Sequence, residues 1–180
     1  MYVYDRLAAR WPSARSLVVV RDSVATIRSI VERLEIPGDL DASAVDMRRR
    51  VPQAWHAVLD NRWLGVRSEH YIDQLADRWC IAAKLALEES DRRMTIRYED
   101  FVAEPRHELG RLAEWLTDGE SAAPWRIDAP VRGVDLDAAA ALIRPGSVSR
   151  WAERLSADEV GALEHLIRPT MERTGYAWTR

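Results

Sequence analysis

The sequence predicts an α/β fold, a short parallel sheet with predominant helices. Three observations carry this expectation. Leu17-Val18-Val19-Val20 is a short β-branched run bounded by polar residues, which reads as a strand buried on both faces. Directly behind it, Val24, Ile27, Ile30, Val31 and Leu34 recur at helical spacing. A second short run, Met94-Thr95-Ile96-Arg97-Tyr98, lies far along the chain, with further stretches of helical period on either side.

Taken in order, Arg21 and Asp22 end the first strand, either Asp22 or Ser23 serves as N-cap of the helix that follows, and Pro37-Gly38 stops it. Residues 39–66 are polar and Arg-rich, and Met47, Val51, Trp55, Val58 and Leu59 suit one or two amphipathic helices. Tyr71, Leu75, Trp79, Ala82, Ala83, Leu85 and Ala86 outline a longer helix that ends in the charged segment 88–93. After the second strand come Glu99-Asp100-Phe101. Pro105 then opens a helix through its preset φ, with Leu109, Leu112, Ala113 and Leu116 as its buried face. Residues 117–132 read as a loop rich in Pro, Gly, Ser and Asp, and Asp135 or Asp137 caps a short helix ended by Pro145-Gly146. Ser156 and Glu159 have capping-box spacing, and Val160, Leu163, Ile167 and Met171 line the final helix.

Composition narrows the function. With 47% hydrophobic and 31% charged residues, the 180 residues suit one soluble globular domain. Twenty-six Lys and Arg against 29 Asp and Glu leave a net charge of -3, so bulk attraction to nucleic acid or an anionic membrane is not expected, and any anion site must be local. A single cysteine, Cys80, excludes an internal disulfide and a metal site of several thiolates. It suits a reducing interior. No run of 18 apolar residues occurs and the N-terminus lacks the apolar core of a signal peptide, so a cytoplasmic protein without a membrane span is expected. Most of the eight tryptophans should be packing anchors.

If Val20 ends a parallel strand, Arg21 stands at the carboxyl edge, where open α/β sheets bind ligands. Its planar fork matches a phosphate, and Ser29 could add a hydroxyl from the helix. The spacing alone also fits a surface ion-pair former and a solvated serine. His56, His70, His107 and His165 have no metal-ligand spacing, so no metal is expected, and Arg48-Arg49-Arg50 reads as a solvated helix face.

These residues carry a resemblance. The segment SLVVVRDSVATIRSI is similar to the part of sulfotransferases in which a hydrophobic strand ends in Arg-Asp-Pro and a Ser follows eight positions after the Arg. Ser23 replaces the usual Pro. Ile96-Arg97-Tyr98-Glu99-Asp100-Phe101 resembles that family's strand ending in Tyr-Glu-Asp. Residues 145–151, Pro-Gly-Ser-Val-Ser-Arg-Trp, resemble its late Gly-Arg-Trp loop, with Ser149 where the Gly often stands. The pieces occur in the family's order from about Tyr4 to Tyr176.

The resemblance implies a P-loop-NTPase-like sulfotransferase fold and a site for 3′-phosphoadenosine 5′-phosphosulfate. Arg21, Ser29 and Arg150 would hold the 3′-phosphate and Tyr98 would lie beside the nucleotide. The sulfuryl group would pass to a hydroxyl or amine acceptor, a small molecule, glycan or lipid. The family's Gly-rich loop, of the Pro-Lys-Ser-Gly-Thr-Thr kind, and its catalytic His or Glu precede the Arg-Asp-Pro strand, and neither is found ahead of Leu17. The expectation is therefore a truncated, C-terminal two-thirds of the fold that supplies the 3′-phosphate grip and leaves the base unassigned. An uncovered strand edge along Leu17–Val20 would favour self-association. Two alternatives stand beside this reading: a nucleotide- or partner-binding remnant without catalysis, and a fragment of a longer enzyme.

Overall fold

The computed structural model describes residues 4–36, 43–88, 90–116 and 157–178. Along them run helix α1 (Tyr4–Arg10), strand β1 (Ser16–Val20), helices α2 (Ser23–Arg33), α3 (Ala44–Arg50), α4 (His56–Leu59) and α5 (Tyr71–Leu87), strand β2 (Arg93–Arg97), and helices α6 (Tyr98–Ala103), α7 (Pro105–Leu116) and α8 (Ala157–Arg173). The chain is thus helix-rich α/β. The loop at 117–132, the helix expected near 135–143, the 145–151 loop with Ser149 and Arg150, and Ser156 of the capping box lie outside the described residues.

β1 and β2 pair in parallel from Ser16↔Arg93 to Val20↔Arg97, and α2 to α5 fill the crossover between them. Parallel partners share a face, so Val18 and Val20 lie on the side of Thr95 and Arg97, where α5 packs against the sheet. Thr95 donates its hydroxyl to the Ala86 carbonyl at 3.3 Å and Arg93 reaches the Leu85 carbonyl at 3.0 Å, tying β2 to the end of α5. On the opposite face α6 and α7 pack on β2 and bury Met94 and Ile96.

That second cover stops short of β1. Leu17 is 43% and Val19 57% exposed, so the expected burial of this strand on both faces is corrected: among the described residues only the α5 side is covered. The β-branched run signals a strand, but burial depends on what the rest of the chain lays over it.

The core gathers Val24, Ile27 and Val31 of α2, Tyr71, Ile72, Leu75 and Trp79 of α5, and Val160, Leu163, Ile167 and Met171 of α8. Residues 43–66 break into α3, two 3₁₀ turns and the single turn of α4, with Met47, Val51 and Leu59 buried. Pro52 ends the first piece because its ring cannot continue a helix. Arg48 pairs with Asp60 at 2.6 Å and Arg49 with Asp46 at 3.3 Å, so two of the three consecutive arginines are held by carboxylates. In α7 the buried side chain is Glu108, gripped by Arg111 at 2.7 and 2.9 Å, whereas Ala113 is exposed and Leu109, Leu112 and Leu116 are half-buried. A buried carboxylate is tolerated there because its partner neutralises it.

Candidate functional site

The site is built where the two strands end. Val20 and Arg97 are the last paired residues, so Arg21 and Tyr98 are the next positions across the ladder. The Arg21 guanidinium carbon lies 4.6 Å from the centroid of the Tyr98 ring. Such a stack holds the planar fork by attraction to the ring face and sets the plane in which its N–H edge would meet an anion. Tyr98 opens α6 instead of ending β2 as the sequence suggests, and Glu99 and Asp100 follow it in the first turn of that helix.

The turn that carries Arg21 is held by its backbone. Asp22 caps α2, its Oδ1 accepting the Ala25 N–H at 2.7 Å, which settles the choice between Asp22 and Ser23. Ser23 is fully buried and donates its hydroxyl to the Met171 sulfur at 2.8 Å. The Trp79 indole N–H donates to the Arg21 carbonyl at 2.9 Å. Glu99 accepts the Asp22 N–H through Oε1 at 3.1 Å, and its Oε2 lies 2.6 Å from the Tyr176 hydroxyl. That hydroxyl is also 3.0 Å from the Val20 carbonyl oxygen. The peptide unit between Arg21 and Asp22 is therefore held at both its carbonyl and its N–H by side chains from α5 and α6, and the Tyr176 hydroxyl lies against the Val20 carbonyl before it.

Tyr176 arrives through the end of α8. Gly175 has φ +80°, and the N–H groups of Gly175 and Tyr176 return to the carbonyls of Glu172 at 3.2 Å and Met171 at 2.9 Å. This is a Schellman cap, which reverses the chain and delivers Tyr176 toward β1. The Arg97 guanidinium lies 4.3 Å from the Tyr176 ring centroid, so two arginine–tyrosine stacks flank this edge of the sheet.

Two carboxylates, Asp22 and Glu99, stand beside the expected anion site, and Arg21 itself acts on Asp22. Burial pushes the Asp22 carboxyl up, the Ala25 N–H opposes it, and the nearby Glu99 raises it further. The Tyr176 phenol is pushed well above its ordinary value by burial and by its bond to Glu99. Because the Asp22 carboxylate caps α2 and takes the Ala25 N–H, a second anion is disfavoured at the helix end, and its grip would fall to the Arg21 fork.

Ser29 is half-buried on α2, about 9 Å of helical rise beyond Ser23, so a phosphate shared with Arg21 would lie along the outer side of the helix. Arg150 lies outside the described residues. Among the other titratable candidates, a His56 ring nitrogen is 3.2 Å from the Val51 carbonyl and so has a structural partner. Among the described residues no cluster of His, Cys, Asp and Glu could hold a metal, and no helix is long and apolar enough to cross a membrane.

Comparison with family models, with curated proteins and with solved structures gives no match to this chain. Its reading therefore rests on its own residues. Sequence reasoning reached Arg21 and Tyr98 and missed Glu99, Trp79 and Tyr176 as parts of this edge. The one local signal was Gly175-Tyr176 directly after an amphipathic helix, the pattern of a glycine cap followed by an apolar residue.

Proposed function

We propose that the chain is a sulfotransferase-type unit that grips the 3′-phosphate of 3′-phosphoadenosine 5′-phosphosulfate at the carboxyl edge of β1 and β2. One observation carries the reading. The segments ending in Arg21-Asp22 and in Tyr98-Glu99-Asp100, which resemble that family's nucleotide-binding strands, are parallel neighbours in register, and Arg21 stacks on Tyr98. Arg21 supplies the charged fork, Ser29 and Arg150 add donors to the same phosphate, and Tyr98 backs the guanidinium beside the nucleotide. The fold this reading implies is P-loop-NTPase-like, with β1 and β2 as two strands of its parallel sheet. The reaction served is attack of an acceptor hydroxyl or amine on the sulfur. The S–O bond to the 5′-phosphate breaks, adenosine 3′,5′-bisphosphate leaves, and the acceptor's proton passes to a base.

A second reading has a specific observation in its favour: the 180-residue sequence contains no segment of the Pro-Lys-Ser-Gly-Thr-Thr kind. Such a loop cradles the 5′-phosphosulfate with backbone N–H groups. On this view the chain binds the nucleotide without catalysing transfer.

Calorimetry tests the shared claim. Adenosine 3′,5′-bisphosphate should bind about tenfold or more tighter than adenosine 5′-monophosphate, since a charge-assisted phosphate contact is worth roughly 1.5–3 kcal/mol. Arg21→Ala should erase the preference. Equal affinity of the unaltered chain for both nucleotides would refute the site, and an assay of sulfuryl transfer on the same preparation separates the two readings.

A further inference from the structure

We infer that Glu99 is a positioning residue that, through Asp22 and Tyr176, holds the strand-to-helix turn in the one conformation that presents Arg21 to a phosphate; this rests on the nucleotide reading above. The argument starts from connectivity. Glu99 lies 77 residues from Asp22 and 77 from Tyr176, yet its two carboxyl oxygens meet the Asp22 N–H and the Tyr176 hydroxyl at 3.1 and 2.6 Å. The same hydroxyl approaches the Val20 carbonyl at 3.0 Å. Glu99 and Tyr176 thus form a clasp across the residues before and after Arg21, and the Trp79 indole fixes the Arg21 carbonyl between them.

Arg21 is the residue in this turn whose backbone is fixed on both sides while its side chain lies on Tyr98. Glu99 follows Tyr98 directly, so one helical turn sets both the ring under the guanidinium and the carboxylate behind it. A placement error of about 1 Å at a binding group is enough to lose much of its benefit. Glu99 acts from behind the turn, by geometry.

Hydrogen-bond arithmetic gives the inference a discriminating variant. A phenol has one proton, so Tyr176 donates to Glu99 or to Val20 but not to both at once. A glutamine at position 99 can keep its carbonyl on the Asp22 N–H and turn its NH₂ toward the Tyr176 oxygen. The phenol proton is then released to Val20, and every group is satisfied. Glu99→Gln should therefore preserve the clasp although the charge is gone, whereas Glu99→Ala leaves the Asp22 N–H and one end of Tyr176 without their partner. Tyr176→Phe removes the hydroxyl from both Glu99 and Val20 and leaves a ring in place beside Arg97.

The test measures affinity of the full chain for adenosine 3′,5′-bisphosphate and for adenosine 5′-monophosphate, together with hydrogen exchange of the Asp22 amide by NMR, on variants first checked for native circular dichroism. Glu99→Ala and Tyr176→Phe should each lower the preference for the bisphosphate by about tenfold, the scale of one lost buried hydrogen bond. Asp22 amide protection should fall in Glu99→Ala, and Glu99→Gln should match the unaltered chain in both readouts. If Glu99→Ala, when folded, keeps the preference and the Asp22 protection, or if Glu99→Gln behaves like Glu99→Ala, the positioning role is wrong. Should Glu99→Ala fail to fold, Tyr176→Phe and Glu99→Gln decide the question alone. If the unaltered chain binds neither nucleotide, the nucleotide reading falls. The clasp is then judged by the Asp22 amide, whose unchanged exchange in Glu99→Ala would overturn it as well.

Discussion

Asp22 has opposing demands on it. Its carboxylate accepts the Ala25 N–H at 2.7 Å and caps α2, while burial and the neighbouring Glu99 make its charge costly. The sign of the resulting pH dependence follows from proton counting. A carboxyl whose value is raised on folding binds more protons in the folded chain, so its contribution to stability falls as pH rises from the ordinary carboxylate range through the raised one. Asn keeps an oxygen acceptor for Ala25 and carries no charge, and it is as good an N-cap as Asp. Urea denaturation at a series of pH values should therefore show Asp22→Asn nearly matching the unaltered chain near pH 3 and gaining on it toward pH 7, by up to about 1 kcal/mol. A gap that closes or reverses with rising pH would mean that the charge on Asp22 is a net benefit to the fold.

Among elements, the legible ones were those whose signals are local. Pro105 opens α7 and the apolar spacing of Tyr71, Leu75 and Trp79 runs through α5, because preset φ and a buried stripe are properties of neighbouring residues. The short helix α6 was not legible: Tyr98–Ala103 is too short to show a period and follows β2 without a loop. The candidate site divides the same way. Arg21 and Tyr98 stand at the ends of apolar runs, while Glu99 and Tyr176 gain their roles from contacts 77 and 156 residues apart; Gly175 signals the cap but not the partners that Tyr176 reaches. The cap of α8 shows how an element serves the site. Gly175 has φ +80°, and a Cβ there would meet nothing nearer than an Arg97 nitrogen at 4.0 Å, so its substitution is resisted by backbone conformation and not by crowding. Gly175→Ala should cost about 1–2 kcal/mol in chemical denaturation. Quenching or a shifted tyrosine signal should accompany it as Tyr176 leaves Val20. A stability change within a few tenths of a kcal/mol would show that α8 reaches Tyr176 by another route.

For the molecule as a whole, the consequential feature is the half-dressed β1. Among the described residues it pairs on one edge alone, in a sheet of two strands, and the face bearing Leu17 and Val19 is open while the same face of β2 lies under α6 and α7. Parallel strands are ordinarily covered on both faces, and an open apolar edge offers unpaired N–H and C=O groups to any strand that approaches. A second copy of β1 would satisfy those groups by antiparallel pairing about a two-fold axis, which would set Leu17 and Val19 of one copy near those of the other. With a net charge of only -3 for 180 residues, repulsion between copies opposes this weakly. Light scattering behind size exclusion should show the 180-residue chain associating as its concentration rises. Val19→Lys should shift it toward monomer without loss of helical circular dichroism, since Val19 is 57% exposed and a lysine there blunts the edge at little cost to the core. A chain that stays monomeric at high concentration would mean that its own residues or its solvation protect β1, and an associated Val19→Lys would place the contact on another surface.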